Sequence, residues 1–393
     1  RAVSSRRLDI RGAISCRITV TCPAKFTLPA LPDGMQVLTR EVSCCTEPIY
    51  ADKQLAVRED IETGAPGIDY IISCDAVPRI DDLRVIANKA VVKGTVSISA
   101  LYGVHTDEHS GCDELEKMSA DIPVSQILDM PGLSDQHSCT PEFIVRNCEL
   151  VPDSGGISCE LKMECRCSAV QTSTVAIPCD AYSTEYETEL TTASLKIPTD
   201  QRRADSQTSV KSTVACDGGE VDSIWDCRGE LCSVSCRPDG ENGLLVTGQV
   251  CMTVIGKCAG GTPFVAEKQE AFEHTIPAAN VTPDTSVNCR ASVNNTGFAI
   301  RSDGSVDVTV QADISAELTD SRQFSVISSA AVHQDKPKER SDEFALRICY
   351  TTGHESCWDI AKRCGTTVEA VMEENEISDR SAELSGMVVI PIV

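Results

Sequence analysis

Between Val306 and Leu318 every second residue is aliphatic: Val306, Val308, Val310, Ala312, Ile314, Ala316 and Leu318, with polar residues between them. A period of two is the period of an extended strand, whose successive side chains point to opposite faces. Such a run covers one face and wets the other. The device recurs from Ile10 to Cys22 and from Leu244 to Val254. It recurs again from Ile157 to Ala169, where Glu160, Lys162, Glu164 and Arg166 hold the wet face. A helix would scatter these apolar positions around its circumference, so the pattern requires antiparallel sheets with one covered side. At roughly 11 to 15 residues the runs exceed the common strand length of ~5–6. The glycines Gly12, Gly94 and Gly248 therefore mark expected bulges or bends.

The strands also recur in order. A short cysteine-bearing strand, a polar turn and a long alternating strand follow one another four times, with Cys74, Cys148, Cys232 and Cys289 in the short strands. The expected turns lie at Asp81-Asp82, between Asp153 and Gly156, between Asp239 and Gly243, and at Asp303-Gly304, all residues that favour tight connections. The spacing is too irregular for a solenoid, so tandem antiparallel β modules are expected. Composition shifts place a partial module at 1–48, one β domain at 49–200, a second at 201–332, a charged Pro-containing linker at 333–344 and a small unit at 345–393.

The 393 residues include 59 acidic and 35 basic side chains, a net charge of −24 spread along the chain. Nucleic acid and anionic membrane surfaces are poor partners for such a chain. No apolar run approaches the ~18 residues of a membrane helix, so no membrane insertion is expected. Residue 1 is Arg, and export is not readable from the N-terminus. The 22 cysteines contain no C-x-x-C pair. His105, His109 and Cys112 come nearest to a metal set, but they sit in an acidic loop without a fourth ligand, so neither metal nor cofactor is expected. Cysteines in every segment fit small buried core residues, or a chain stapled by oxidation within or between subunits. There is no G-x-S-x-G elbow, no H-E-x-x-H and no Gly-rich phosphate loop. A non-enzyme is expected.

The C-terminal unit carries the most specific pattern. Residues 346–350 read as a short strand and Gly353 to Ser356 as a turn. Ser356 can cap a helix, with Asp359 at capping-box spacing, and Cys357, Ile360, Ala361 and Cys364 form its apolar face. Thr366, with Glu369 three residues on, starts a second helix that ends near Asn375, and a strand from Val388 to Pro391 closes the unit. Tyr350, Gly353, Glu355, Ser356, Trp358, Ile360, Ala361, Thr367, Asn375, Gly386, Ile390 and Pro391 together resemble a LysM domain, a small α+β unit of βααβ order. The resemblance implies a groove for N-acetylglucosamine of peptidoglycan or chitin, between the strand–helix turn and the helix–strand loop. Its candidate binding residues are Gly353, Glu355, Ser356, Trp358 and Asn375. Cys357 stands at the usual leucine and Glu355-Ser356 at the commoner Asp-Thr, which leaves docking onto a protein partner open beside sugar binding.

The β repeat resembles the SPOCS domain of endospore-forming bacteria, which is often followed by a C-terminal LysM domain. Three stretches carry the likeness: Val91-Val92-Lys93-Gly94-Thr95-Val96, Leu101-Tyr102 and Asp121-Ile122-Pro123-Val124-Ser125. Residues 50–135 match best, and 190–280 match only through 245–250 and 274–277. The combined resemblance implies a mainly β fold, with tandem antiparallel β-sandwich or β-sheet modules ahead of the LysM-type unit. It implies a non-enzymatic structural role in the endospore envelope, as coat or surface appendage, for a protein made in the mother cell and placed on the spore surface. The implied partners are copies of itself, other spore-envelope proteins and peptidoglycan. Candidate cross-linking thiols are Cys16, Cys22, Cys44, Cys45, Cys349, Cys357 and Cys364, with no connectivity readable. Cys357 and Cys364 are about 10.5 Å apart along one helix, too far to pair with each other. Two other readings stay open: a peptidoglycan-binding LysM adaptor with β spacers, and a cell-wall hydrolase tethered by LysM.

Overall fold

The computed structural model describes residues 2–4, 7–8, 26–64, 67–104, 114–153, 155–216, 220–240, 242–338, 346–380 and 382–391. The alternating run that holds Gly12, Cys16 and Cys22 lies outside them, as do His105, His109 and Cys112. Strands β1 (Ala2–Ser4) and β2 (Arg7–Leu8) form a short ladder of their own.

The expected mainly β architecture is what the chain adopts. Strands β5 (Ile68–Ile86), β6 (Lys89–Val104) and β7 (Glu114–Asp129) form an antiparallel meander. Against it packs a second sheet, in which β9 (Gly156–Val170) lies between β4 (Ile49–Glu62) and β8 (Ser138–Asp153). The alternation explains the core: Val92, Val96 and Ile98 of β6 face Cys159, Leu161, Met163 and Cys165 of β9, all buried in one cluster. Each such side chain removed from water stabilises the fold by about 1.5–3 kcal/mol before entropy is counted.

The design repeats. Strands β12 (Val221–Pro238), β13 (Gly243–Cys258) and β14 (Pro263–Pro277) form a second meander. It covers a sheet of β11 (Tyr186–Val214), β16 (Val306–Pro337) and β15 (Ser286–Ile300). The run from Val306 to Leu318 fills this core against Val246, Val250 and Val254. Strands β11 and β16 are far longer than one sandwich needs. Past a register shift between Pro198 and Asp200 their outer halves leave it and pair with each other. There they pack on a two-stranded sheet of β3 (Met35–Cys45) and β10 (Thr172–Ser183), around Val42, Ile177 and Val326. The first expected module is thus joined by chain from beyond the first sandwich, and the boundary expected near 200 falls inside β11. The start of the expected 333–344 linker is strand as well, since Glu187 pairs with His333 and Tyr186 with Pro337.

Bulges occur beside Gly94 and Gly248, two of the three glycines that announced them, but on the neighbouring strand; Gly12 lies outside the described residues. The register of β5 slips between Ile80 and Asp82 beside Gly94, and that of β12 between Cys232 and Ser235 opposite Gly248. A side chain at Gly94 would collide with the Arg79 carbonyl, and one at Gly248 would lie 2.7 Å from the Phe272 ring. Asp81-Asp82, expected as a turn, is the first of these bulges. Leu83 and Val85 continue the ladder beyond it, and Ala87-Asn88 closes the hairpin with Asn88 at φ 64°. The turns at Asp239 and Asp303 form as expected, with the Asp239 N–H donating to the Gly243 carbonyl at 2.9 Å.

The two sandwiches meet through charge. Asp226 of β12, 1% exposed, accepts from Lys117 of β7 at 2.6 Å and from Arg228, which also reaches Ser73 of β5. Arg290 of β15 pairs with Glu142 of β8 at the same junction. Among the described residues no helix is long and apolar enough to cross a membrane.

Candidate functional site

The C-terminal unit is built from β17 (Leu346–Ser356), α1 (Cys357–Cys364), α2 (Val368–Glu374) and β18 (Glu383–Pro391). Ser356 caps α1 as expected: its hydroxyl accepts from the Asp359 N–H, and its own N–H donates to Asp359 Oδ2 at 2.9 Å. The Ser356 hydroxyl and N–H hold the Asp359 carboxyl below its ordinary range. Gly365 ends α1 in the left-handed region at φ 69°. The second cap is shifted by one residue. Thr367, not Thr366, accepts from the Ala370 N–H, because Thr366 is buried in the turn between the helices. Cys357, Ile360, Ala361, Val368, Val371, Val388 and Ile390 make a small closed core.

Three of the five expected groove residues lie at the end of β17. Gly353 lies at φ +90° inside a bulge of β17, between Thr352 and Glu355, so the expected turn is a kink within a strand. Glu355 is paired with Arg363, whose other arm donates to Cys349 Sγ at 2.9 Å, and Ser356 is occupied by the cap. Exposed His354 stands 3.9 Å from Glu383 at the start of β18. The other two residues lie elsewhere. The Asn375 amide donates to the Val371 and Val389 carbonyls and accepts from the Val389 N–H, stitching α2 to β18.

Trp358 is 4% exposed and turned toward β10. Its indole N–H donates to Asp180 Oδ2 at 2.9 Å, and Lys362 donates to the same carboxylate at 2.7 Å. The Tyr182 ring meets the Trp358 ring edge-on, with centroids 5.0 Å apart, and its hydroxyl donates to the Thr366 carbonyl at 2.8 Å. Burial pushes the Tyr182 phenol up. Lys338 stands over the other side of that ring while donating to the Ser183 carbonyl, and burial pulls its ammonium down. Tyr182 is in effect a member of the small unit's core, supplied from 176 residues upstream of Trp358 in sequence. A register slip of β10 between Pro178 and Asp180 re-aims the strand's end toward the helices. Sequence reasoning missed Asp180, Tyr182 and Lys338. Only the aromatic in an otherwise small-residue strand end hinted at them.

The candidate cross-linking thiols are dispersed. Cys44 and Cys45 are neighbours on an extended strand, where successive side chains point apart, and Cys44 Sγ lies 3.7 Å from Ser173 Oγ. Cys357 is fully buried at the opposite end of α1 from Cys364. Burial and the neighbouring Cys349 push the Cys364 thiol up. Among the described residues no three His, Cys, Asp or Glu side chains are grouped to hold a metal ion.

Residues 67–152, from β5 to β8, match the family described as SipL, SPOCS domain, and residues 354–385 match the LysM domain. The chain therefore carries a SPOCS domain and a C-terminal LysM domain. Comparison with curated proteins and with solved structures gives no match. The two domains suggest a sporulation-related protein with a peptidoglycan-binding type of module. Both are non-catalytic binding or structural domains, and no enzymatic family is indicated.

Proposed function

We propose that this chain is a non-enzymatic assembly protein of the bacterial endospore envelope, in coat or surface appendage, self-associating through its β modules with LysM as a docking head. The observation that carries this reading is the clamp of Asp180 and Tyr182 on Trp358, Lys362 and Thr366. In this reading the clamp fixes the LysM unit as an end-piece of the β array instead of leaving it a loosely tethered binder. Among the described residues β3 and β10 pair only with each other, and open sheet edges are natural templates for strand addition between copies. On the β17–β18 pair, Leu346, Ile348 and Tyr350 alternate along one face with Met387 opposite Tyr350, and all four are exposed. A contiguous apolar patch of that kind suits contact with another protein of the envelope. In this reading the protein is made in the mother cell and ends on the spore surface.

A second reading, favoured by the exposed pair of His354 and Glu383 beside Gly353, makes the chain a peptidoglycan adaptor with β spacers. Electron microscopy of the purified full chain, alone and with insoluble peptidoglycan, separates the two. Ordered oligomers or fibres in the protein alone support assembly. Dispersed single molecules that coat the peptidoglycan support the adaptor, and loss of peptidoglycan turbidity would instead reveal a hydrolase.

A further inference from the structure

The four short cysteine-bearing strands of the repeat fall in β5, β8, β12 and β15, and these are the strands at which the two sheets of each sandwich meet. In the first sandwich Cys74 of β5 and Cys148 of β8 have Sγ atoms 3.2 Å apart. In the second, Cys236 of β12 and Cys289 of β15 pack against the same core where these two strands adjoin, close enough for each to shift the other's thiol. Cys236, four residues beyond the Cys232 that marks the sequence repeat, is the one that reaches across. All four thiols are partly exposed at the rim of a core, within reach of a small reagent. A metal is the other use for facing thiols, but neither pair belongs to a group of three or more potential ligands among the described residues. Cys139 and Cys167 are also neighbours, on adjacent strands of one sheet, where a bond would join what the ladder already joins.

We propose that Cys74 with Cys148, and Cys236 with Cys289, are oxidation sites that close into one inter-sheet disulfide per sandwich. The co-reactant is a low-molecular-weight disulfide. The Cys148 thiolate attacks it, displacing one small thiolate and forming a mixed disulfide. The Cys74 thiolate then attacks Cys148 Sγ and displaces the second, so two protein thiols are oxidised and two small thiols leave with the two protons. The S–H of Cys74 favours the Cys148 thiolate, which starts the sequence. Burial pushes Cys236 up to about 12 and raises Cys289 as well, so the second pair reacts from protonated thiols and needs the alkaline conditions of the test. Cys74 and Cys148 are 74 residues apart in sequence, so the bond would close a long loop of the unfolded chain, where a disulfide has its largest expected effect. This inference concerns bonds within one chain and stands whether or not the chain assembles.

The test uses the reduced full chain, treated with oxidised glutathione at about pH 8, capped with N-ethylmaleimide and mapped by mass spectrometry without reduction. The expected result is a peptide linking Cys74 to Cys148, another linking Cys236 to Cys289, and a melting temperature raised by about 5–10 °C. Cys148→Ser should abolish the first link and its share of the rise while leaving the second. Recovery of all four residues as capped thiols after oxidation overturns the proposal, and so does their linkage to other cysteines. Because mapping is done on the unmutated chain, the result stands even if the variant does not fold.

Discussion

The joint between the two sandwiches and the joint that holds the LysM unit are built from different materials. The first centres on Asp226, a buried carboxylate held by Lys117 and Arg228 from two different strands. The second centres on Tyr182 and Trp358, two rings packed edge to face, with Asp180 at their margin. Withdrawing a carboxylate from water costs several kcal/mol, which its partners largely offset. A charged joint therefore adds little net adhesion and much orientational demand. An aromatic pair gains from every square ångström it buries and needs only its polar tips satisfied. The comparison teaches that the β array is aligned by charge, whereas the terminal unit is held by apolar burial.

Substitutions can break each joint without the other. Tyr182→Ala should have the largest effect, about 3–5 kcal/mol, because it empties an aromatic site in the small unit's core. Hydrogen exchange should quicken in α1 and β18 while β6 and β9 stay protected. Asp226→Asn should cost about 2–4 kcal/mol, read as a lower urea midpoint. The lower half of that range is expected, because Lys117 and Arg228 keep about a third of their side-chain surface exposed and can turn to water. Exchange in the LysM unit should not change. Asp180→Asn keeps an acceptor for Trp358 but loses the charge that holds half-exposed Lys362, for about 1 kcal/mol, and that loss should shrink in high salt.

The smallest effect sharpens the picture inside the LysM unit. Ser356→Ala removes the α1 cap and should cost about 1 kcal/mol or less at neutral pH. The cap holds the Asp359 carboxyl below its ordinary range, so its contribution is in place above about pH 4 and is lost as pH falls through the lower native value. Stability curves of the two proteins should therefore converge at acid pH.

The strands were legible in the sequence because burial on one face of an extended chain writes a period of two. The LysM unit was legible for a similar local reason: Ser356, Asp359 and Gly365 act within a few residues of themselves. What was not legible is what joins distant segments. Beyond a lone aromatic at a strand end, residues 172–183 do not announce that Tyr182 completes a core formed by 357–390, nor that Trp358 is spent there. The lengths of β11 and β16 were hidden because their outer halves are covered on one side by only a two-stranded sheet, which leaves a weaker apolar alternation. Asp81-Asp82 misled for the opposite reason. Two polar residues suit a turn, yet the Thr95 hydroxyl and Arg79, both bonding Asp81, satisfy a bulge equally well.

The central claim is that the chain is a building piece, and the most direct measurement is its mass in solution. Light scattering from the purified full chain, under reductant so that no disulfide contributes, should show species of several chains that grow with protein concentration. A single-chain mass at every concentration would contradict the assembly reading.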